Sequence, residues 1–136
     1  MSDKFNCFID SNIWLYAFIN NSEERKSKIA KNIIAANNII ISTQVINEVS
    51  VNLIKKAKFS ESNIQELVRD FYFNYQVIDI DITILIDASK LRQNYCFSYW
   101  DSLIVASALK APAKILYSED MQNGLIVDEM TVVNPF

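Results

Sequence analysis

Histidine is absent from this sequence of 136 residues, which removes the Ser-His-Asp hydrolases and any metal site built on imidazole. Glycine is almost absent too. A single residue, Gly124, is too few for a P-loop or a dinucleotide-binding turn, where several glycines bring backbone close to phosphate. Pro112 and Pro135 are the only prolines, so long unbroken helices and few tight turns are expected. The two cysteines, Cys7 and Cys96, lie in apolar surroundings and form no CxxC pair. They read as reduced core residues of a cytoplasmic protein, and a disulfide between them is not expected. No apolar run approaches the roughly 18 residues that span a bilayer, so no membrane partner is expected. Met1-Ser2-Asp3-Lys4 lacks the basic region and apolar stretch of a secretory signal.

What is present describes a folded chain. Apolar residues make up 51% and charged residues 21%, a balance that argues against disorder. The length fits a single domain over residues 1–136, large enough to bury roughly 65–70% of its unfolded surface without staples. The net charge is −3, which is unfavourable for a nucleic-acid binder, but the charge is unevenly spread. Residues 20–58 carry Arg25, Lys26, Lys28, Lys31, Lys55, Lys56 and Lys58 against Glu23, Glu24 and Glu48. That stretch could hold phosphates, or it could simply solvate two helix faces.

Strand and helix patterns alternate along the chain. Residues 5–9 read as a buried strand, followed by a short helix through 13–17. Asn21 with Glu24 resembles a capping box opening a helix to about Ala36. Residues 39–42 form a β-branched strand, and 43–57 a helix with Val45, Ile46, Val49 and Leu53 on one face. A helix over 60–74, a strand over 76–79 and helices over 82–94 and 99–110 come next. Strands over 114–117 and 130–133 complete the chain. The expected fold is α/β, with an approximately five-stranded, mostly parallel central sheet covered by helices on both faces. Ligands of such sheets bind beyond the carboxyl ends of the strands.

Four acids interrupt this apolar pattern: Asp10, Glu48, Asp101 and Asp120. Widely spaced acids without histidine suggest oxygen ligation of a hard cation such as Mg²⁺ or Mn²⁺. Each acid also has a plainer explanation. Asp10 ends the first strand and could serve as a helix N-cap. Ser98 and Asp101 fit a capping box, with Trp100 placed to shield the acid from water. Glu48 lies on the border of its helix's apolar face and reads, by itself, as a solvated residue. Asp120 could form a turn before Gly124, and Glu119 could substitute for it in part. Ser118 could bond a ligand or cap the same turn.

Taken in order, these segments resemble a known family. Phe8-Ile9-Asp10-Ser11-Asn12-Ile13-Trp14-Leu15-Tyr16-Ala17 is similar to the opening of a PIN domain. Asn47-Glu48 resembles the family's second acid. Ser98-Tyr99-Trp100-Asp101-Ser102-Leu103-Ile104 resembles its third element, and Ser118-Glu119-Asp120 its fourth. The resemblance covers essentially the whole chain. It implies a Mg²⁺- or Mn²⁺-dependent ribonuclease, similar to the VapC-type toxins of toxin–antitoxin pairs. It also implies a homodimer and an antitoxin partner whose C-terminal segment lies across the active site. On this expectation Asp10 and Asp101 bind metal directly. Glu48 and Asp120 act through water, and Ser11, Asn12 and Ser118 position the acids or the phosphate. Lys55, Lys56 and Lys58 would hold flanking phosphates of single-stranded or looped RNA. The acidic total departs from many members of the family.

The chemistry has a physical rationale. Two unit charges about 4 Å apart repel by about 4 kcal/mol at an effective dielectric of 20, so converging carboxylates need a cation or a proton. Other classes fit less well. A haloacid-dehalogenase-like phosphotransfer enzyme needs an acid where Asn12 stands, and a metal-dependent adhesion domain needs serines at the positions of Asn12 and Trp14. The alternative from another class is a non-catalytic PIN-like module that binds nucleic acid or protein.

Overall fold

The computed structural model describes residues 4–19 and 23–136. The central strand is β1 (Asn6–Ile9), where Cys7, Phe8 and Ile9 are successive and all fully buried. Successive strand side chains point to opposite faces, so this run requires cover on both sides of the sheet. After α1 (Ser11–Phe18) and α2 (Glu24–Ala36) comes β2 (Asn38–Ser42), equally buried after its first residue. Two helices, α3 (Thr43–Ala57) and α4 (Glu61–Asn74), lead to β3 (Gln76–Ile78). A second pair, α5 (Ile82–Asn94) and α6 (Tyr99–Lys110), leads to β4 (Ile115–Tyr117). The chain ends in β5 (Ile126–Val127) and β6 (Met130–Val133).

The strands run in the order β3-β2-β1-β4-β6-β5, and every pairing is parallel except β5 with β6. There are thus six strands, not five. The extra one has two residues, and its turn to β6 is Asp128-Glu129, with Asp128 at φ 53°. A pair of acids is not the Asn-Gly or Gly-rich signal that marks a tight hairpin, so this strand leaves little trace in sequence. The one glycine does meet a backbone need: Gly124 sits at φ +86°, in the left-handed region that side chains disfavour.

The chain runs outward on one side of β1 to β2 and β3, then crosses to β4 on the other side. The carboxyl ends of β1 and β4 therefore flank a topological switch point, where open parallel sheets bind ligands. Trp14 secures this corner. Its indole Nε1–H donates to the Ile9 carbonyl at 3.1 Å, while its ring packs edge-on against Phe71 at 5.0 Å. Helix α6 backs the sheet with an unbroken buried run, Ser102 to Ala108. Its small residues allow close approach, and α5 packs on it through Ile84 and Ala88 against Leu103 and Ala106.

One expectation needs correction, and another lies outside the described residues. Cys7 is buried, with its thiol pushed up to about 11 by burial, but Cys96 is exposed, in the segment between α5 and α6. The aromatic run Phe71–Tyr75 is divided between core and surface. Phe71 is 1% exposed and belongs to the core, whereas Phe73 is 89% exposed. Phe71→Ala is therefore expected to cost about 3–5 kcal/mol in chemical denaturation, and Phe73→Ala less than about 0.5 kcal/mol. Equal effects would contradict this division. Asn21, of the expected capping box, lies outside the described residues.

Candidate active site

Asp10 is the N-cap of α1, accepting from the Ser11 backbone N–H at 2.8 Å. Its own N–H donates to the Tyr117 carbonyl at 3.0 Å, tying it to the end of β4. Its second oxygen accepts from the buried Ser118 hydroxyl at 2.9 Å. The residue is thus the expected helix cap, and the cap engages only one of its two carboxylate oxygens. The carboxylate is deeply set although the residue keeps some exposed surface. Burial pushes its titration up, the bonds from Ser11 and Ser118 oppose this, and the charges of Asp101 and Asp120 raise it further.

Glu48 departs from its sequence interpretation as a solvated side chain. It is half-buried on α3, and its titration is pushed up to about 7, first by burial and then by Asp10 and Asp101, with Gln44 opposing. Its Oε1 is buried without a hydrogen-bond partner. Asp101 lies in the first turn of α6, where Ser98 accepts from its backbone N–H at 3.1 Å. Only that half of the capping box forms among the described residues, which leaves the Asp101 carboxylate free of the cap. Asp101 and Asp120 border one hollow of about 200 Å³ that also takes in Cys96. Asp120 accepts from Asn12 Nδ2 at 2.6 Å, so Asn12 links the start of α1 to the loop after β4.

The fold thus gathers Asp10, Glu48, Asp101 and Asp120 from four separate segments, with Ser11, Asn12 and Ser118 bonding among them. Glu119 is not part of this group. It pairs with Lys26 at 2.5 Å and accepts from the Tyr16 hydroxyl at 2.8 Å. Burial pushes the Glu119 carboxyl up, but Lys26 and Tyr16 hold it below its ordinary value. Its neighbours on α1 and α2 draw it away from Asp120. Trp100 does not shield Asp101 as expected, being 64% exposed. Of the three lysines, Lys56 borders a small hollow with Asn12, Tyr16 and Leu15. Lys55 and Lys56 lie in the last turn of α3, and Lys58 caps it in left-handed geometry at φ 55°.

Sequence reasoning missed Gln44. Its Nε2 donates to the Trp100 carbonyl at 3.2 Å, and its buried Oε1 has no partner. The available signal was spacing: Gln44 lies four residues before Glu48, one turn away on the same helix face. The four acids offer oxygen donors alone. Among the described residues no three acidic or cysteine side chains form a ready-made metal cage. No helix of the described residues is long and apolar enough to cross a membrane.

A mostly parallel α/β sheet with carboxylates collected at its switch point defines the class of fold to which this chain is assigned. The chain belongs to the PIN domain family, whose model matches residues 7–122. Among solved structures it is similar to a toxin–antitoxin complex from Klebsiella pneumoniae, at 23% identity, 96% of this chain, 98% of that chain and TM-score 0.72. It is also similar to the sarcin–ricin loop cleaving toxin VapC20 of Mycobacterium tuberculosis, at 16% identity, 84% and 89% coverage and TM-score 0.66. A third is VapBC2 of Rickettsia felis bound to a DNA fragment from the promoter, at 19% identity, 93% and 96% coverage and TM-score 0.63. At such identities the likeness is one of fold. No curated protein matches the sequence.

Proposed function

We propose that this chain is a Mg²⁺- or Mn²⁺-dependent endoribonuclease and the cytoplasmic toxin of a toxin–antitoxin pair. The observation that carries this reading is the electrostatic burden on Asp10 and Glu48. Both carboxyls are pushed up by burial and by neighbouring acids, and Glu48 keeps an unpartnered oxygen. Such a cluster is costly without a counter-charge. All-oxygen donors suit a hard divalent cation, and Mg²⁺ in particular is commonly held by one or two carboxylates with waters completing its shell. When bound, the cation would supply Lewis acidity at a phosphate oxygen and lower the pKa of the attacking water.

The chain's own residues have definable tasks in this reading. Asp10 and Asp101 hold the cation, and Glu48 and Asp120 orient water at its edge. Ser118 and the Ser11 N–H fix the Asp10 carboxylate through one bond to each oxygen. Asn12 fixes Asp120. Lys56, near Asn12, can meet a flanking phosphate, with Lys55 and Lys58 beyond it. The similar M. tuberculosis protein is a sarcin–ricin loop cleaving toxin, which supports RNA as substrate, and the similar toxin–antitoxin complexes support an antitoxin partner. A second copy of the chain is the other proposed partner, and exposed Phe73, Ile82 and Ile86 offer apolar surface for such contacts.

The test is cleavage of a panel of single-stranded and stem-loop RNAs in Mn²⁺, with and without EDTA. Discrete cleavage that EDTA abolishes is the expected outcome. A Mn²⁺-linked rise in melting temperature with no cleavage of any RNA would favour the non-catalytic module instead.

A further inference from the structure

A cleft of about 480 Å³ opens beside the acids, lined by Thr43, Gln44, Asn47, Glu48, Ile80 and Trp100. Its size falls within the range of about 300–1,000 Å³ typical of small-molecule sites. Two features set it apart from ordinary surface. The first is an aromatic wall left in water: Trp100 is 64% exposed, and Tyr99 beside it 51%. This wall is held in place. The Tyr99 and Trp100 rings meet edge to face at 5.3 Å, and the Arg92 guanidinium lies 4.3 Å from the Tyr99 ring centre. Arg92 is itself anchored by a 2.6 Å bond to the Ser102 hydroxyl.

The second feature is an unmet hydrogen-bonding demand. Among the described residues, the buried side-chain atoms without partners are Gln44 Oε1 and Glu48 Oε1, and both residues line this cleft. Gln44 cannot easily turn away, because its Nε2 is engaged by the Trp100 carbonyl. The cleft therefore presents a fixed aromatic face, and two acceptors without donors lie just behind its lining, where a small side-chain movement of Gln44 would bring its oxygen to an entering group. It is also continuous with the acidic site. Glu48 belongs to both, and Trp100 precedes Asp101 in the chain.

We propose that this cleft is a nucleobase subsite, in which the base of an RNA nucleotide flanking the scissile phosphate stacks on Trp100 and donates an amino N–H to Gln44 Oε1. The proposal rests on the nuclease reading for the identity of its neighbour, the scissile phosphate. Unpaired bases stack on exposed aromatic rings and expose their Watson–Crick edges, so single-stranded RNA is the occupant. Adenine, cytosine and guanine carry exocyclic amino groups and match the acceptor. Uracil has no amino group; its single N3–H lies between two carbonyl oxygens that repel the acceptor, so it is the poorer match.

The experiment uses the Asp10→Asn variant, so that RNA stays intact, titrated with the pentanucleotides A5, C5 and U5. Binding of A5 and C5 is expected to quench Trp100 fluorescence, identified as the signal lost in the Asp10→Asn/Trp100→Ala double variant. Trp100→Ala should weaken their binding by about 10- to 100-fold in fluorescence anisotropy, the range set by loss of one stacked base. Gln44→Leu should remove the preference over U5. Absence of quenching, or unchanged affinity in Trp100→Ala with its melting temperature intact, would overturn the subsite. The two readings fail separately. If the parent cleaves RNA with Mn²⁺ but Trp100→Ala leaves KM unchanged, the subsite falls and the nuclease stands. If the parent cleaves nothing while A5 still quenches Trp100, the nuclease reading falls and the subsite stands.

Discussion

Asp10→Asn is expected to lower the rate of RNA cleavage by at least about 100-fold without unfolding the protein. The side chain keeps its shape, and an amide oxygen can still accept from the Ser11 N–H or the Ser118 hydroxyl, bonds of 2.8 and 2.9 Å in the parent. What is lost is the negative charge at the centre of the acid cluster. A cation-assisted phosphoryl step draws several kcal/mol from that charge, and about 1.4 kcal/mol corresponds to a tenfold change in rate. Stability should hold or rise, because burial and the charges of Asp101 and Asp120 all work against an ionised Asp10. Single-turnover cleavage with matched melting curves decides the matter. If the variant cleaves at the parent's rate, Asp10 has no part in the chemistry.

The second large effect concerns Glu48 in metal-free protein. Its titration rises from 4.5 to about 7 on folding. Below about pH 4 the carboxyl is protonated in folded and unfolded chains alike, so it costs nothing. Between 4.5 and about 7 the unfolded chain ionises first, and stability is lost progressively. Above about 7 the full penalty is present. Because the residue is only half-buried, solvent screening reduces that penalty to about 1–2 kcal/mol. Glu48→Gln should therefore be more stable than the parent by this amount at about pH 8 in EDTA, and no more stable at about pH 4. Denaturant midpoints at both pH values measure it. A gain of the same size at both would mean that packing, not charge, is responsible. Excess Mg²⁺ should narrow the gap at the higher pH, since a cation at about 100 times its Kd adds about 2.7 kcal/mol to whichever form binds it.

Both effects depend on a site that the sequence disclosed unevenly. Asp10 was legible because local rules place it: a buried run ends, a helix begins, and the residue between them must sit at the edge of the sheet. Asp101 was legible for a similar reason, at the start of a helix with Ser98 three residues before it. Glu48 was not. Its helix pattern places it on the border of the apolar face, and nothing in that pattern shows that Asp10 and Asp101 stand close enough to act on its charge. Glu119 and Asp120 are adjacent and chemically alike, yet one turns to Lys26 and Tyr16 while the other turns to Asn12. The choice is made by partners 93 to 108 positions away. Trp100 and Gln44 show the same limitation, since the Gln44–Trp100 bond spans 56 positions.

By itself the sequence determined the order of helices and strands apart from the two-residue β5, the mostly parallel sheet, the exclusion of histidine- and glycine-dependent chemistry, and the presence of an acid at the edge of the central strand. These follow from periodicity and residue type, which act over a few residues. The tertiary structure alone decided which acids meet, which one is drawn away, that Cys96 lies outside the core, and that an aromatic wall borders the acids. Those outcomes depend on long-range packing and on electrostatic fields summed over the assembled fold, and neither can be computed from neighbours along the chain.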